Sequence, residues 1–219
     1  MRVRENIIRI SFDADAYCPY HSDQTFMRYS REIDAFTAVP IECRWTLYQM
    51  ARQCRKVEGD FFECGVDRGG SARFIANVMH GAGKTLHLFD TFGGMPATDG
   101  SVDYHQEGDF PEVPTEQVSA FVGHEAEVMI HKGLIPYTFM GMGDVQIAFA
   151  HVDVDIYEST KACCEFIYPR LSRGGVIVFD DYARPTCQGA RIAIDEYFAG
   201  KDSFPLMSLT AAQAVVFKS

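Results

Sequence analysis

Two sets of residues in this chain carry chemistry by their type and spacing. The first is acidic. His151-Val152-Asp153-Val154-Asp155 closes one apolar run, and Phe179-Asp180-Asp181-Tyr182 closes another. If the two runs are neighbouring parallel strands, Asp153, Asp180 and Asp181 converge at their carboxyl ends. Crowded carboxylates repel one another and raise each other's pKa. A hard divalent cation relieves that repulsion, and an oxygen-only ligand set with open positions favours Mg²⁺, with Mn²⁺ or Ca²⁺ as alternatives. An acidic cleft holding a basic substrate group, or only water, is the competing reading. Zinc is disfavoured, because no Cys/His cluster has suitable spacing.

The second set is Asp60-Phe61-Phe62-Glu63-Cys64-Gly65-Val66-Asp67-Arg68-Gly69-Gly70-Ser71. An apolar strand runs through Glu63 into a glycine turn that opens a helix. Glycine allows a tight turn and close approach of backbone to ligand. The free N–H groups of the helix N-terminus suit a carboxylate or phosphate. The spacing Gly-x-x-x-Gly-Gly is not the Gly-x-Gly-x-x-Gly of a dinucleotide site, which weighs against an NAD-dependent oxidoreductase. Glu63 would repel a pyrophosphate but suits an amine. S-adenosylmethionine, with carboxylate, amine and nucleoside, fits both halves; a ligand-free tight turn is the alternative.

Asp90 ends the next apolar run and precedes Thr91. An acid at that remove from the glycine turn accepts hydrogen bonds from ribose hydroxyls, although it also suits a turn. Lys132 stands with Gly133 at the end of a third run, where an adenine ring has room to pack; a solvated cation is the plainer reading. The expected cofactor contacts are therefore Glu63, Gly65, Gly69, Ser71, Asp90, Thr91, Lys132 and Asp153. Asp153 is the first candidate for taking a proton, and His105, in a polar loop, is the second. His87 and His151 lie inside strand runs and read as hydrogen-bonded structural groups.

These residues need a scaffold of alternating strands and helices. Strands are expected at 60–64, 85–90, 126–131, 147–152 and 174–180, and helices at 41–56, 70–80, 113–122, 158–170 and 187–200, with a weak one at 136–142. Within 158–170, Ala162, Phe166, Ile167 and Leu171 are expected to share one stripe. Several strands are nearly continuous apolar runs, as when both sheet faces are covered. Residues 205–210 and 214–217 read as an antiparallel C-terminal hairpin. The fold expected is a doubly wound α/β domain with a mostly parallel seven-stranded sheet and ligands at the strands' carboxyl ends. Residues 1–40 look irregular, so 1–55 is assigned to an N-terminal extension or lid plus first helix, and 56–219 to the cofactor-binding domain.

Composition bounds the rest. With 219 residues, 47% of them hydrophobic, the chain has material for one sizeable core. A net charge of −10 argues against nonspecific binding to nucleic acid or an anionic membrane. No apolar run approaches the ~18 residues of a membrane span, and no apolar signal-peptide core follows Met1-Arg2-Val3-Arg4. Seven cysteines without CxxC pairs read as reduced thiols of a cytoplasmic protein. The oligomeric state is left open, a homo-oligomer included.

The motifs Glu63-x-Gly65-Val66-x-x-Gly69-Gly70, Phe89-Asp90-Thr91-Phe92-x-Gly94-x-Pro96, Lys132-Gly133, Asp153-x-Asp155-x-Tyr157-Glu158-Ser159-Thr160 and Gly174-Gly175 followed by Asp180-Asp181-Tyr182 occur in this order. Together, over residues 55–200, they resemble the macrocin O-methyltransferase family of antibiotic-sugar methyltransferases. The resemblance implies a class I methyltransferase fold and S-adenosylmethionine as methyl donor, contacted by Glu63, Gly65 and Asp90. It implies Mg²⁺ at Asp153, Asp180 and Asp181 beside the acceptor hydroxyl. Asp67 and Leu134 depart from the family's usual bulky aromatic and tryptophan. The expected activity is metal-assisted O-methylation of a small-molecule acceptor, a sugar or other polyol. A catechol-type acceptor and a non-catalytic nucleotide-binding module are the alternatives.

Overall fold

The computed structural model describes residues 19–124, 127–201, 207–208 and 212–219. In chain order the elements are α1 (Gln24–Ile33), α2 (Ile41–Cys54), β1 (Asp60–Cys64), α3 (Gly70–Met79), β2 (Leu86–Asp90), α4 (Thr115–Val122), β3 (Val128–Lys132), β4 (Ile147–Val152), α5 (Tyr157–Arg170), β5 (Leu171–Phe179), α6 (Gln188–Phe198), β6 (Met207–Ser208) and β7 (Ala214–Phe217). The sheet runs β3-β2-β1-β4-β5-β7-β6. Its first five strands are parallel, β7 is antiparallel to both β5 and β6, and β6 is a two-residue edge strand.

Alternation of side chains explains why the strands read as apolar throughout. Phe61, Phe149, Val176 and Val178 face one layer, packed with Leu47 and Ala51 of α2 and with Phe74 and Ile75 of α3. Phe62, Ala150, Ile177 and Phe179 face the other, packed with Cys163, Cys164 and Ile167 of α5 and with Ile194 and Phe198 of α6. The order of winding reverses at β1, which has β2 on one side and β4 on the other. Loops leaving β1 and β4 must diverge there, and the crevice between them is the ligand position of doubly wound sheets.

The segment 1–40 is not irregular where it is described. A 3₁₀ turn at Pro19–Ser22 leads into α1. Asp23 caps α1 by accepting a 2.9 Å hydrogen bond from the Phe26 N–H. Only Phe26, Ser30 and Ile33 of α1 are buried, so the stripe is one residue wide. Phe26 packs among Trp45, Tyr48 and Phe74. The buried Arg44 of α2 donates to the carbonyls of Ser30 and Val39 and pairs with Asp34. α1 and α2 thus share the core of the sheet rather than standing apart from it. Residues 1–18 lie outside the described residues.

Four expectations shift. The buried stripe of α5 is Thr160, Cys163, Cys164, Ile167 and Tyr168, while Leu171 begins β5, three residues before the strand expected at 174. The weak helix at 136–142 is one 3₁₀ turn, Tyr137–Phe139. The third strand, expected at 126–131, is Val128–Lys132. Of the expected 205–210 strand, only Met207–Ser208 falls among the described residues.

Candidate functional site

One cavity of about 330 Å³ lies at the carboxyl ends of β1, β2, β4 and β5. Its first half is built by the β1 turn. Gly65 has φ +85°, and a Cβ there would stand 1.7 Å from the Asp153 carbonyl oxygen, so only glycine lets the two loops pass. Gly70 likewise has no room for a side chain against Phe36 and Thr37, which join the same cavity wall. Asp90 ties this turn to β2. Its Oδ2 accepts from the N–H groups of Val66 (2.7 Å) and Asp67 (3.1 Å), and its Oδ1 accepts from Phe92 N–H (2.7 Å). A carboxylate takes about four hydrogen bonds, so Asp90 keeps limited capacity for a ribose hydroxyl.

The second half is acidic. Asp153, Asp155 and Asp181 each present a carboxylate oxygen, all within 4.8 Å of one another. Asp155 sits in left-handed backbone at φ 61°, and its N–H donates to Asp181 Oδ2 at 3.1 Å. Burial and the neighbouring Asp181 and Asp180 push the Asp153 carboxyl well above the usual range. Burial raises Asp155 too. Asp181 is pushed up to about 7 by burial, then by Asp155 and Asp180. Arg184 reaches Asp180 Oδ2 at 2.9 Å and Asp181 Oδ1 at 3.4 Å. One guanidinium cannot neutralise four carboxylates, so the donor set fits a hard divalent cation ligated by oxygen alone.

Asp180 departs from expectation. It is not one of the three convergent carboxylates; Asp155 stands in its place. Its Oδ1 accepts a 2.7 Å hydrogen bond from Gln213, and its Oδ2 takes Arg184. Burial opposes its charge, but the nearby His151 and hydrogen bonds from Gln213 and Arg184 outweigh that and bring it down to about 2. Behind it runs a buried relay: His151 Nδ1 donates to Glu63 Oε1 at 2.9 Å, and its Nε2 lies 3.6 Å from Asp180 Oδ1. Burial disfavours the imidazolium, yet the adjacent carboxylates of Asp180 and Glu63 raise its pKa well above the ordinary value.

The sequence-predicted residues therefore divide. Gly65, Ser71, Asp90, Thr91, His105, Asp153, Asp180 and Asp181 line the cavity. Glu63, Gly69 and Lys132 do not. Glu63 is fully buried behind the wall, with Oε2 unpartnered. Gly69 caps α3, where a Cβ would press on Val118 and Val122 of α4. Lys132 pairs in register with Asp90 but points to solvent. His105 reaches Asp155: its Nε2 is 3.8 Å from Asp155 Oδ1. The loop carrying His105 is latched by Asp103, which accepts from the Tyr157 N–H at the start of α5 (2.9 Å).

Asp155, Arg184, Cys187 and Gln213 were missed. Asp155 had a signal, two residues beyond Asp153. Arg184 follows Asp180 and Asp181 at i+4 and i+3. Cys187, whose thiol donates to Asp155 Oδ1 at 3.2 Å, and Gln213, from the far end of the chain, had none.

A doubly wound sheet with an antiparallel C-terminal hairpin, a glycine turn after β1 and acids after β2, β4 and β5 define the class I O-methyltransferase fold. The macrocin-O-methyltransferase (TylF) family matches residues 46–217, and the chain belongs to that family. The 8-demethyl-8-(2,3-dimethoxy-alpha-L-rhamnosyl)-tetracenomycin-C 4'-O-methyltransferase of Streptomyces olivaceus is 35% identical over 148 residues, 61% of this chain and 57% of that protein. The mycinamicin III 3''-O-methyltransferase of Micromonospora griseorubida is 29% identical, over 64% of this chain and 61% of that protein. The chain thus spans about three fifths of the length of these curated relatives. Among solved structures, the O-methyltransferase NovP superposes with a TM-score of 0.73 at 26% identity, covering 84% of this chain and 82% of that one. The calicheamicin methyltransferase CalS11 shares the fold, with a TM-score of 0.67 at 24% identity over 94% of this chain and 96% of that one. Among the described residues, no helix is long and apolar enough to cross a membrane.

Proposed function

We propose that this chain is an S-adenosylmethionine-dependent O-methyltransferase acting on a hydroxyl of a sugar or other polyol, with Mg²⁺ at the acidic cluster. The carrying observation is that the β1 glycine turn and the Asp153–Asp155–Asp181 cluster open into one cavity. A donor held by the turn and an acceptor held by the cluster meet there. The relatives named for methylating sugar hydroxyls support the acceptor class.

The methyl donor supplies an electrophilic methyl group on a sulfonium. Asp153, Asp155 and Asp181 would hold the cation, which would supply Lewis acidity to lower the pKa of the acceptor hydroxyl. The residues do the positioning on which an in-line displacement depends. Gly65 and Ser71 shape the donor wall, and Asp90 holds the turn with its spare lone pair toward the ribose. Phe36 and Leu134 give the cavity an apolar rim suited to the body carrying the acceptor sugar. As the acceptor oxygen bonds to the methyl carbon and the sulfur–carbon bond breaks, the hydroxyl proton passes to a carboxylate of the cluster. Asp153 remains a candidate for that role. Asp155 is a further candidate, with His105 Nε2 3.8 Å from its Oδ1, outside direct hydrogen-bond distance.

The test is incubation with deuterium-labelled S-adenosylmethionine, Mg²⁺ and a panel of glycosides and polyphenols. Labelled glycosides, lost with EDTA, are the expected products. Labelled polyphenols alone would move the acceptor to a catechol class. No labelled product, with donor binding intact, would point to a non-catalytic binding module.

A further inference from the structure

At the amino end of the edge strand β3, where α3 ends, three residues from separate segments meet. His80 is the C-cap of α3, His124 follows α4, and Glu127 precedes β3. One ligand atom from each lies within 4.8 Å of the others. None of the three lines the catalytic cavity. We propose that His80, His124 and Glu127 form a second metal site, selective for a zinc-class transition-metal dication and separate from the acidic cluster.

The hydrogen bonds around these side chains fix their free atoms. Asn77 Nδ2 donates to Glu32 Oε2 at 3.0 Å, which sets the amide so that its oxygen faces His124. His124 Nε2 must then donate to Asn77 Oδ1, at 3.0 Å, leaving Nδ1 with its lone pair. A ligating histidine oriented through its other nitrogen by an amide or carboxylate is the usual outer-shell arrangement of metal sites. Gly81 N–H holds Glu127 Oε1 at 3.1 Å, and Oε2 turns to His80 Nδ1 at 2.8 Å.

An ordinary surface ion pair accounts for His80 and Glu127 but not for His124. His124 sits in left-handed backbone at φ 53°, which costs a residue other than glycine some strain. That backbone brings its ring to 4.6 Å from the His80 ring. Two imidazoles so placed repel when both are protonated, and a cation bound to both removes that conflict. The carboxyl end of α3 adds a favourable dipole. Ligand atoms of tetrahedral zinc, each about 2.0–2.2 Å from the metal, lie roughly 3.3–3.6 Å apart, so closure needs shifts of about an ångström. The exposed His80 side chain can supply them, and water completes the shell. Two nitrogens and one oxygen favour Zn²⁺, Co²⁺ or Ni²⁺ over Mg²⁺.

The position suggests a brace. Arg73 of α3 donates to the carbonyls of Phe121 and Val122 at the end of α4. Phe121 stacks at 4.0 Å on Phe36, which lines the catalytic cavity. Metal at His124 would stiffen that corner.

The experiment uses the full chain, stripped with EDTA, desalted, and titrated with Zn²⁺ alone under excess Mg²⁺. Calorimetry should show one Zn²⁺ bound, and Co²⁺ should give the intense visible bands of tetrahedral nitrogen ligation. His80→Asn and His124→Asn should each weaken binding by about tenfold or more, and Asn77→Ala by roughly 10–100-fold. Asparagine tolerates the left-handed backbone, so His124→Asn should fold. Asp181→Asn should leave Zn²⁺ binding unchanged. The proposal is overturned if wild-type protein gives only weak octahedral Co²⁺ bands, or if Zn²⁺ affinity survives both histidine substitutions.

Discussion

Glu63 and His151 stand opposite each other on adjacent strands, carboxylate to imidazole at 2.9 Å, with neither side chain reached by solvent. The pair lies buried behind the cavity wall and is continued by Asp180, Gln213 and Arg184. Such a chain holds the carboxyl ends of β1, β4 and β5 in register. It is costly to break on one side only, because a buried charge is then left without its partner.

Glu63→Ala should accordingly destabilise the protein by about 3–5 kcal/mol. Glu63→Gln keeps an acceptor for His151 and should cost less. Urea denaturation of the two variants checks this. Equal losses would show that the charge on Glu63, not its acceptor oxygen, carries the effect; a Glu63→Gln protein as stable as wild type would show that the charge contributes nothing to the fold.

Asp90 serves the turn before it serves any ligand. Asp90→Ala frees three N–H groups, those of Val66, Asp67 and Phe92. S-adenosylhomocysteine should bind about 1–3 kcal/mol more weakly, and the melting temperature should fall with it. Calorimetry and thermal denaturation together read both effects. Unchanged affinity in a folded Asp90→Ala protein would remove Asp90 from the donor site.

The acidic cluster gives the metal-free chain an inverted pH dependence. A carboxyl whose pKa is raised on folding holds its proton longer in the native state than in the unfolded one. Stability then falls as pH rises between the two values. For Asp181 the window runs from 3.8 to about 7; Asp153 and Asp155 act in the same direction. His124 and His131, whose pKa values are lowered by burial, work the opposite way below 6.5. The melting temperature in EDTA should therefore drop from pH 5 to pH 8 less steeply in Asp181→Asn than in wild type. Mg²⁺ should raise it far more at pH 8 than at pH 5. A wild-type profile that stays parallel to that of Asp181→Asn would count against mutual repulsion at the cluster.

The fold was legible because its signals are local. Apolar runs such as Phe61-Phe62 and Ile177-Val178-Phe179 mark strands covered on both faces, and the chain order of turn, acid and helix defines the winding. α1 was hidden because its buried stripe is only Phe26, Ser30 and Ile33, with polar residues between. The acids at the strand ends were legible by type, but not by orientation. Gln213 reaches Asp180 from 33 positions away, and no spacing rule foresees that partner. Its amide and Arg184 take one oxygen each of Asp180, whose carboxylate lies outside the Asp153–Asp155–Asp181 group.

That arrangement separates two neighbours on one cavity wall. On the proposed mechanism Asp155→Asn would remove a metal ligand and a candidate proton acceptor, so turnover should fall on the order of a hundredfold. Donor affinity should hold, since Gly65 and Asp90 are untouched. Asp180→Asn removes the anion between His151 and Arg184, so its first effect should be on stability, about 3 kcal/mol or more. The fraction that remains folded should still respond to Mg²⁺. Single-turnover methyl transfer, Mg²⁺ titration and urea denaturation of both variants make the comparison. If Asp180→Asn loses its Mg²⁺ response while Asp155→Asn keeps it, Asp180 is the ligand and Asp155 is not.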